Sequence, residues 1–126
     1  MRTLIIALVA FMIVVAIWFV VMDYMNDSIN ELISIDNQVN EYVVKEDWDA
    51  ALDTLDYFTE RWNTHQSIYH LFLDQDNIME VTYAISEAKI FIQYQDAPSS
   101  LGRLAFIKDQ LHFLHRNELV SLENIF

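Results

Sequence analysis

From Thr3 to Met22 the chain runs for twenty residues without a charged side chain, between Arg2 and Asp23. Leucine, isoleucine, valine and phenylalanine fill most of it, and each favours insertion by about 0.3–0.6 kcal/mol near the centre of a bilayer helix. Twenty residues at ~1.5 Å per residue span ~30 Å, the thickness of a hydrocarbon core. A buried core helix would break the run with polar residues at helical spacing, and none occurs. A cleaved signal peptide would have an apolar region of about 7–15 residues and a small-residue cleavage site. This run is longer and passes into Val20-Val21-Met22-Asp23-Tyr24. The sequence therefore predicts a single-pass transmembrane anchor over residues 1–22, with Trp18 suited to an interfacial position, and a second region over residues 23–126.

Orientation follows from basic residues near the span. Arg2 and the amino group precede it, and the next basic residue is Lys45. The positive-inside rule then puts the N-terminus in the cytoplasm and residues 23–126 outside the cell membrane.

Charge and composition narrow the chemistry. Beyond Met22 six Lys and Arg face nineteen Asp and Glu, so nucleic acid and anionic head groups are poor partners for so acidic a region. With no cysteine, disulfides, thiolate metal sites and thiol catalysis are excluded. Gly102 and Pro98 are the lone glycine and proline. Phosphate-cradling loops, dinucleotide turns and nucleophile elbows need glycines at fixed spacings, so none can be built, and no cofactor is expected. Scarcity of both residues also argues against the many tight turns of an all-β domain.

Helical stripes occupy the rest. Met25, Ile29, Leu32, Ile35, Val39 and Tyr42 recur in steps of three and four and extend the membrane segment without a breaker. Glu46-Asp47 open a second run through Trp48, Ala51, Leu52, Leu55 and Trp62, expected to end near Asn63-Thr64. A third carries Ile68, Leu71, Phe72, Ile78, Val81, Ile85, Ala88 and Ile92, and closes at Gln95-Asp96-Ala97-Pro98. The last places Leu101, Leu104, Ile107, Leu111 and Leu114 on one side and should end near His115-Arg116-Asn117. Short connections between such stripes favour antiparallel neighbours. The expected fold is all-α: a transmembrane helix leading into an antiparallel bundle of three to four helices, with the tail from Leu119 to Phe126 folded back onto it.

Candidate chemistry is sparse. Asp109, His112 and His115, at spacings of three, are the weak candidates for a metal. A di-iron bundle would require Glu-x-x-His motifs, which are absent. His65 and His70 lie five apart and read as surface or boundary residues. Asp74 and Asp76 superficially open an EF-hand loop, but Met79 stands where its glycine is needed and Ile85 where its bidentate Glu is needed. Seven serines follow Met22 and none has a nucleophile context. Carboxylate pairs such as Asp53 and Asp56 are expected by chance in so acidic a chain. No acid/base pair stands out, and an enzyme is not expected. The aromatic residues exceed what a small core buries readily, so a residual exposed cluster would mark an interface.

A short basic N-terminus and single span lead into an acidic helical region with Trp48 and Trp62, and the chain closes on Leu122-Glu123-Asn124-Ile125-Phe126. In this layout the chain resembles an uncharacterised bacterial family of single-span membrane proteins, domain-of-unknown-function family 4363. The resemblance implies a histidine near the start of the third helix, where this chain has Gln75, and it brings no established activity. It also implies an accessory role beside other membrane proteins. The reading of function is then a non-enzymatic single-pass accessory protein whose bundle binds another membrane or envelope protein, or a second copy of itself. The expected contacts are Trp48, Trp62, Ile125 and Phe126. The alternatives are an extracytoplasmic sensory or ligand-binding module and a histidine-based metal-binding protein.

Overall fold

A computed structural model describes the backbone of residues 1–125 and the side chains of residues 1–116. Four helices follow one another: α1 (Arg2–Val44), α2 (Trp48–Phe72), α3 (Gln75–Gln93) and α4 (Ala97–Ile125). The fold is all-α, as the stripes predict. α1 packs on α2 and α4, and α3 packs on the same two helices, which closes a four-helix ring.

α1 is unbroken over 43 residues, ~65 Å of helix. No glycine or proline interrupts it, so nothing uncouples its two halves. Its most apolar stretch has a mean hydropathy of 3.3 with no residue buried, so this helix is long and apolar enough to cross a membrane. From Met25 onward the same helix becomes a wall of the bundle, burying Met25, Ile29, Leu32, Ile35, Val39 and Val43.

Facing stripes complete the core: Leu55, Phe58 and Trp62 from α2, Ile78, Val81 and Ile85 from α3, and Leu104, Ile107 and Leu111 from α4. Burying a large apolar side chain contributes about 1.5–3 kcal/mol relative to exposure. That contribution, more than helix propensity, holds these sequences helical.

Two turns at one end of the bundle share a design. Glu46 and Gln95 each adopt a left-handed backbone with φ of 58°. The following amides, of Asp47 and Asp96, donate back to the carbonyls of Tyr42 and Phe91 at 2.9 Å. Each aspartate then caps the next helix, Asp47 accepting from the Ala50 amide at 3.3 Å and Asp96 from the Ser99 amide at 3.2 Å. Helix end and helix start are thus made in consecutive residues without a glycine.

Two boundaries differ from expectation. α2 does not end near Asn63-Thr64 but continues to Phe72, taking in Ile68, Leu71 and Phe72. The Thr64 hydroxyl is satisfied by the Glu60 carbonyl at 2.9 Å, and the core stripe continues through His65 and Tyr69, so the helix has no reason to stop. It stops at Leu73, in extended conformation, where the Asp74 side chain caps α3. α4 likewise runs past Asn117 to Ile125.

Candidate functional site

The densest polar chemistry lies between α1 and α2, just beyond the uncharged segment. Tyr24, Ser28 and Glu31 face Arg61, His65 and Tyr69, with steps of four along α2 keeping its three residues on one side. Arg61 Nε donates to Glu31 Oε1 at 2.5 Å. Tyr69 donates to Ser28 Oγ at 2.5 Å, and Ser28 donates onward to the Met25 carbonyl at 3.1 Å. Trp62, beside this seam, donates its indole N–H to Thr82 Oγ1 at 3.1 Å and so ties α2 to α3.

The tautomer of His65 follows from its neighbours. Arg61 has donors only, so His65 Nε2, 3.3 Å from the guanidinium, must accept. The proton then sits on Nδ1, which donates to the Tyr24 hydroxyl. The imidazole also stacks on Tyr69 with ring centroids 5.9 Å apart. Burial lowers its pKa, and the Arg61 charge lowers it further, so His65 stays neutral. This corrects the surface or boundary reading: His65 is a core residue at 4 % exposure, while His70 is exposed. The seam's side chains bond largely to one another across the two helices, which is what an aligning lock between helices requires.

The other named candidates are scattered. Asp109 and His112 are exposed on α4, and His115 donates from Nε2 to Asn26 Oδ1 at 2.7 Å, tying α4 to α1. Among the described residues no three His, Cys, Asp or Glu side chains converge to hold a metal, so Asp109, His112 and His115 do not form one. A shallow open groove runs along the same helix, lined by Asp109, Gln110, His112, Phe113 and Arg116. Asp74 and Asp76 serve the start of α3, the Asp74 carboxylate accepting from the Asp76 amide at 3.0 Å.

Trp62, expected as a contact, is 1 % exposed. Its indole is committed to the core and to Thr82, so it offers no surface to a partner. Trp48 is half-buried against the core. The side chain of Ile125 and all of Phe126 lie outside the described residues.

One buried charge stands apart. Asp36 on α1 is 2 % exposed, and its Oδ1 has no hydrogen-bond partner among the described residues. Burial raises its pKa to about 7, against the pull of Lys108.

The exposed aromatic cluster falls elsewhere than on the tryptophans. Tyr83 and Ile90 of α3 and Tyr94, its C-terminal cap residue, are 60 %, 50 % and 82 % exposed. Steps of seven and four set them on one helical line, opposite the buried Ile78, Val81 and Ile85. Glu87 completes the line and reaches Arg103 of α4 at 3.8 Å. The sequence signal for this stripe is a second apolar period within α3, which the stronger buried period masks.

The model of a family described as Domain of unknown function (DUF4363) matches residues 19–125. No curated protein and no solved structure matches the chain.

Proposed function

Because the chain belongs to the family described as Domain of unknown function (DUF4363), whose description carries no activity, we propose its function from the geometry: a non-enzymatic, single-pass membrane accessory protein whose bundle binds another membrane or envelope protein. In this reading residues Thr3–Met22 cross the cell membrane with the N-terminus in the cytoplasm, and the bundle stands outside. The observation that carries the reading is the line of Tyr83 and Ile90 on α3 and Tyr94 at its cap. Three large apolar side chains on the solvent face of a helix, rimmed by the Glu87–Arg103 pair, are the composition of a binding anchor with a polar edge. A polar seam whose side chains are largely committed to one another supports a scaffold in preference to a reactive centre, and the acidic surface favours a partner with a basic rim.

Photo-reactive residues at Tyr83, Ile90 and Tyr94 in native membranes test this. One dominant membrane-protein adduct, shared by all three sites and absent from a control at exposed Asp53, is the expected result. Adducts to the same chain alone would make the stripe a self-association surface. No adduct from any of the three would refute the stripe as an interface.

A further inference from the structure

The pairings between α1 and α2 bound how far α2 descends toward the uncharged segment. Glu31 meets Arg61, Tyr24 meets His65, and Ser28 meets Tyr69. Antiparallel helices of equal rise then set the α2–α3 corner, Leu71-Phe72-Leu73, against the part of α1 between about residue 17 and about residue 25, around the end of the uncharged run. Packing agrees with this register. Val21 and Tyr24 of α1 and Leu73 of the corner are all half-buried against the core.

The corner is built unlike the opposite end of the bundle. There the turns carry Lys45-Glu46-Asp47 and Gln95-Asp96 behind the exposed Val44 and Tyr94, whereas here three apolar residues come in sequence. Leu73 packs inward, while Leu71 and Phe72 are 76 % and 52 % exposed. Amides that a dry environment would penalise are engaged: Leu73 donates to the Tyr69 carbonyl at 2.8 Å and Asp76 to the Asp74 carboxylate. Acidic groups at this end of the molecule, Asp23 and Asp27 on α1, Asp74 at the cap of α3 and Asp76 in its first turn, mark where water begins.

We infer that the α2–α3 corner is a second membrane contact: Leu71 and Phe72 dip into the interface of the bilayer that α1 crosses, beside the exit of the span. The occupant is a lipid surface with little net negative charge, because the four carboxylates around the corner repel anionic head groups. Two contacts fix what one cannot. A lone span leaves the bundle free to rotate about the helix axis, whereas a lateral apolar foothold selects the rotation that keeps the corner in lipid. The inference rests on the reading of Thr3–Met22 as a span.

Absence of cysteine allows a direct test in the full chain. Single variants Val14→Cys, Leu71→Cys, Phe72→Cys and Ile90→Cys would be labelled with an environment-sensitive fluorophore and reconstituted in phosphatidylcholine vesicles. Spin-labelled lipids that quench at shallow or deep positions then read each site. The expected result is deep quenching at residue 14, and shallow quenching at 71 and 72 at least about twofold stronger than the background at 90. Deep quenching at 14 with residues 71 and 72 matching 90 would overturn the corner contact and leave the span standing. Absence of quenching at 14 would overturn the span and the corner with it. A blue-shifted label at 72 without lipid quenching would mean that protein, and not lipid, covers the corner. Repeating the measurement without residues 119–126 would show whether that cover is the tail, and either version of the result overturns the proposal.

Discussion

Asp36 sets a pH dependence of defined sign. Burial raises its pKa to about 7 in the folded chain, while in the unfolded chain it returns to about 3.8. Between those values the folded state holds a proton that the unfolded state has released, so stability falls as pH rises. The contribution is complete below the unfolded value and gone above about 7. Asp36→Asn keeps the shape and removes the charge. The variant should exceed the parent by about 2–4 kcal/mol at pH 8, by far less at pH 5, in urea unfolding at the two values. His65 works in the opposite sense. Its pKa is lowered, so its neutral form supports the fold above 6.5 and that support fades as pH falls through its folded pKa. A wider gap at pH 5 than at pH 8 would assign the Asp36 effect wrongly. Gly102 offers a simpler case: a Cβ added there meets nothing within 4 Å. Gly102→Ala should stabilise by about 0.5–1 kcal/mol, read as a higher urea midpoint with unchanged slope. Trp62→Ala, by contrast, removes a buried ring and the indole donor to Thr82, whose hydroxyl keeps its bond to the Ile78 carbonyl, at a cost of about 3–5 kcal/mol.

At the scale of elements, the two left-handed turns show what the sequence reveals and what it hides. Glu46-Asp47 and Gln95-Asp96 were legible as boundaries because an aspartate stood before each new stripe, although neither turn has a glycine. Non-glycine residues in that conformation carry strain of about 1 kcal/mol, partly offset by the smaller chain entropy that they lose on folding. Gln95→Gly should therefore raise stability by a few tenths of a kcal/mol and up to about 1, with helicity unchanged by circular dichroism. A loss would mean that the Gln95 side chain holds the turn. The α2–α3 boundary was misplaced for a physical reason. Asn63 and Thr64 favour turns only when nothing better is offered, and here Thr64 bonds backward within the helix while Trp62, His65 and Tyr69 carry the buried face forward. The seam itself was written in the spacing of Arg61, His65 and Tyr69, but its meaning depended on α1 presenting Tyr24, Ser28 and Glu31 opposite, a tertiary fact.

For the whole molecule, the all-α fold and the long apolar first helix were legible because stripes of period 3.6 and an uncharged run are one-dimensional signals. The surface was not. Trp48 and Trp62 stood out by residue type, yet a large ring is first of all core material, and Trp62 went there. Tyr83, Ile90 and Tyr94 emerged only once Ile78, Val81 and Ile85 had claimed the inner face of α3. Because the buried stripe of α1 begins at Met25, a fragment starting at Asp23 should retain the bundle. Its expected behaviour is a soluble, helical chain with one cooperative thermal transition; a non-cooperative melt would show that residues before Asp23 are part of the folding unit.

The unbroken course of α1 has a mechanical meaning. Its inner half, if seated in lipid, answers to bilayer thickness by leaning, as apolar helices of fixed length do. Its outer half is one wall of the ring, clamped to α2 by Arg61 and Tyr69 and to α4 by His115. With no hinge between them, a lean of ~20° in the bilayer would swing the far end of the bundle sideways by roughly 10 Å. Lever and load are the same helix, so the stripe on α3 would sweep across the membrane surface as the bilayer thins or thickens.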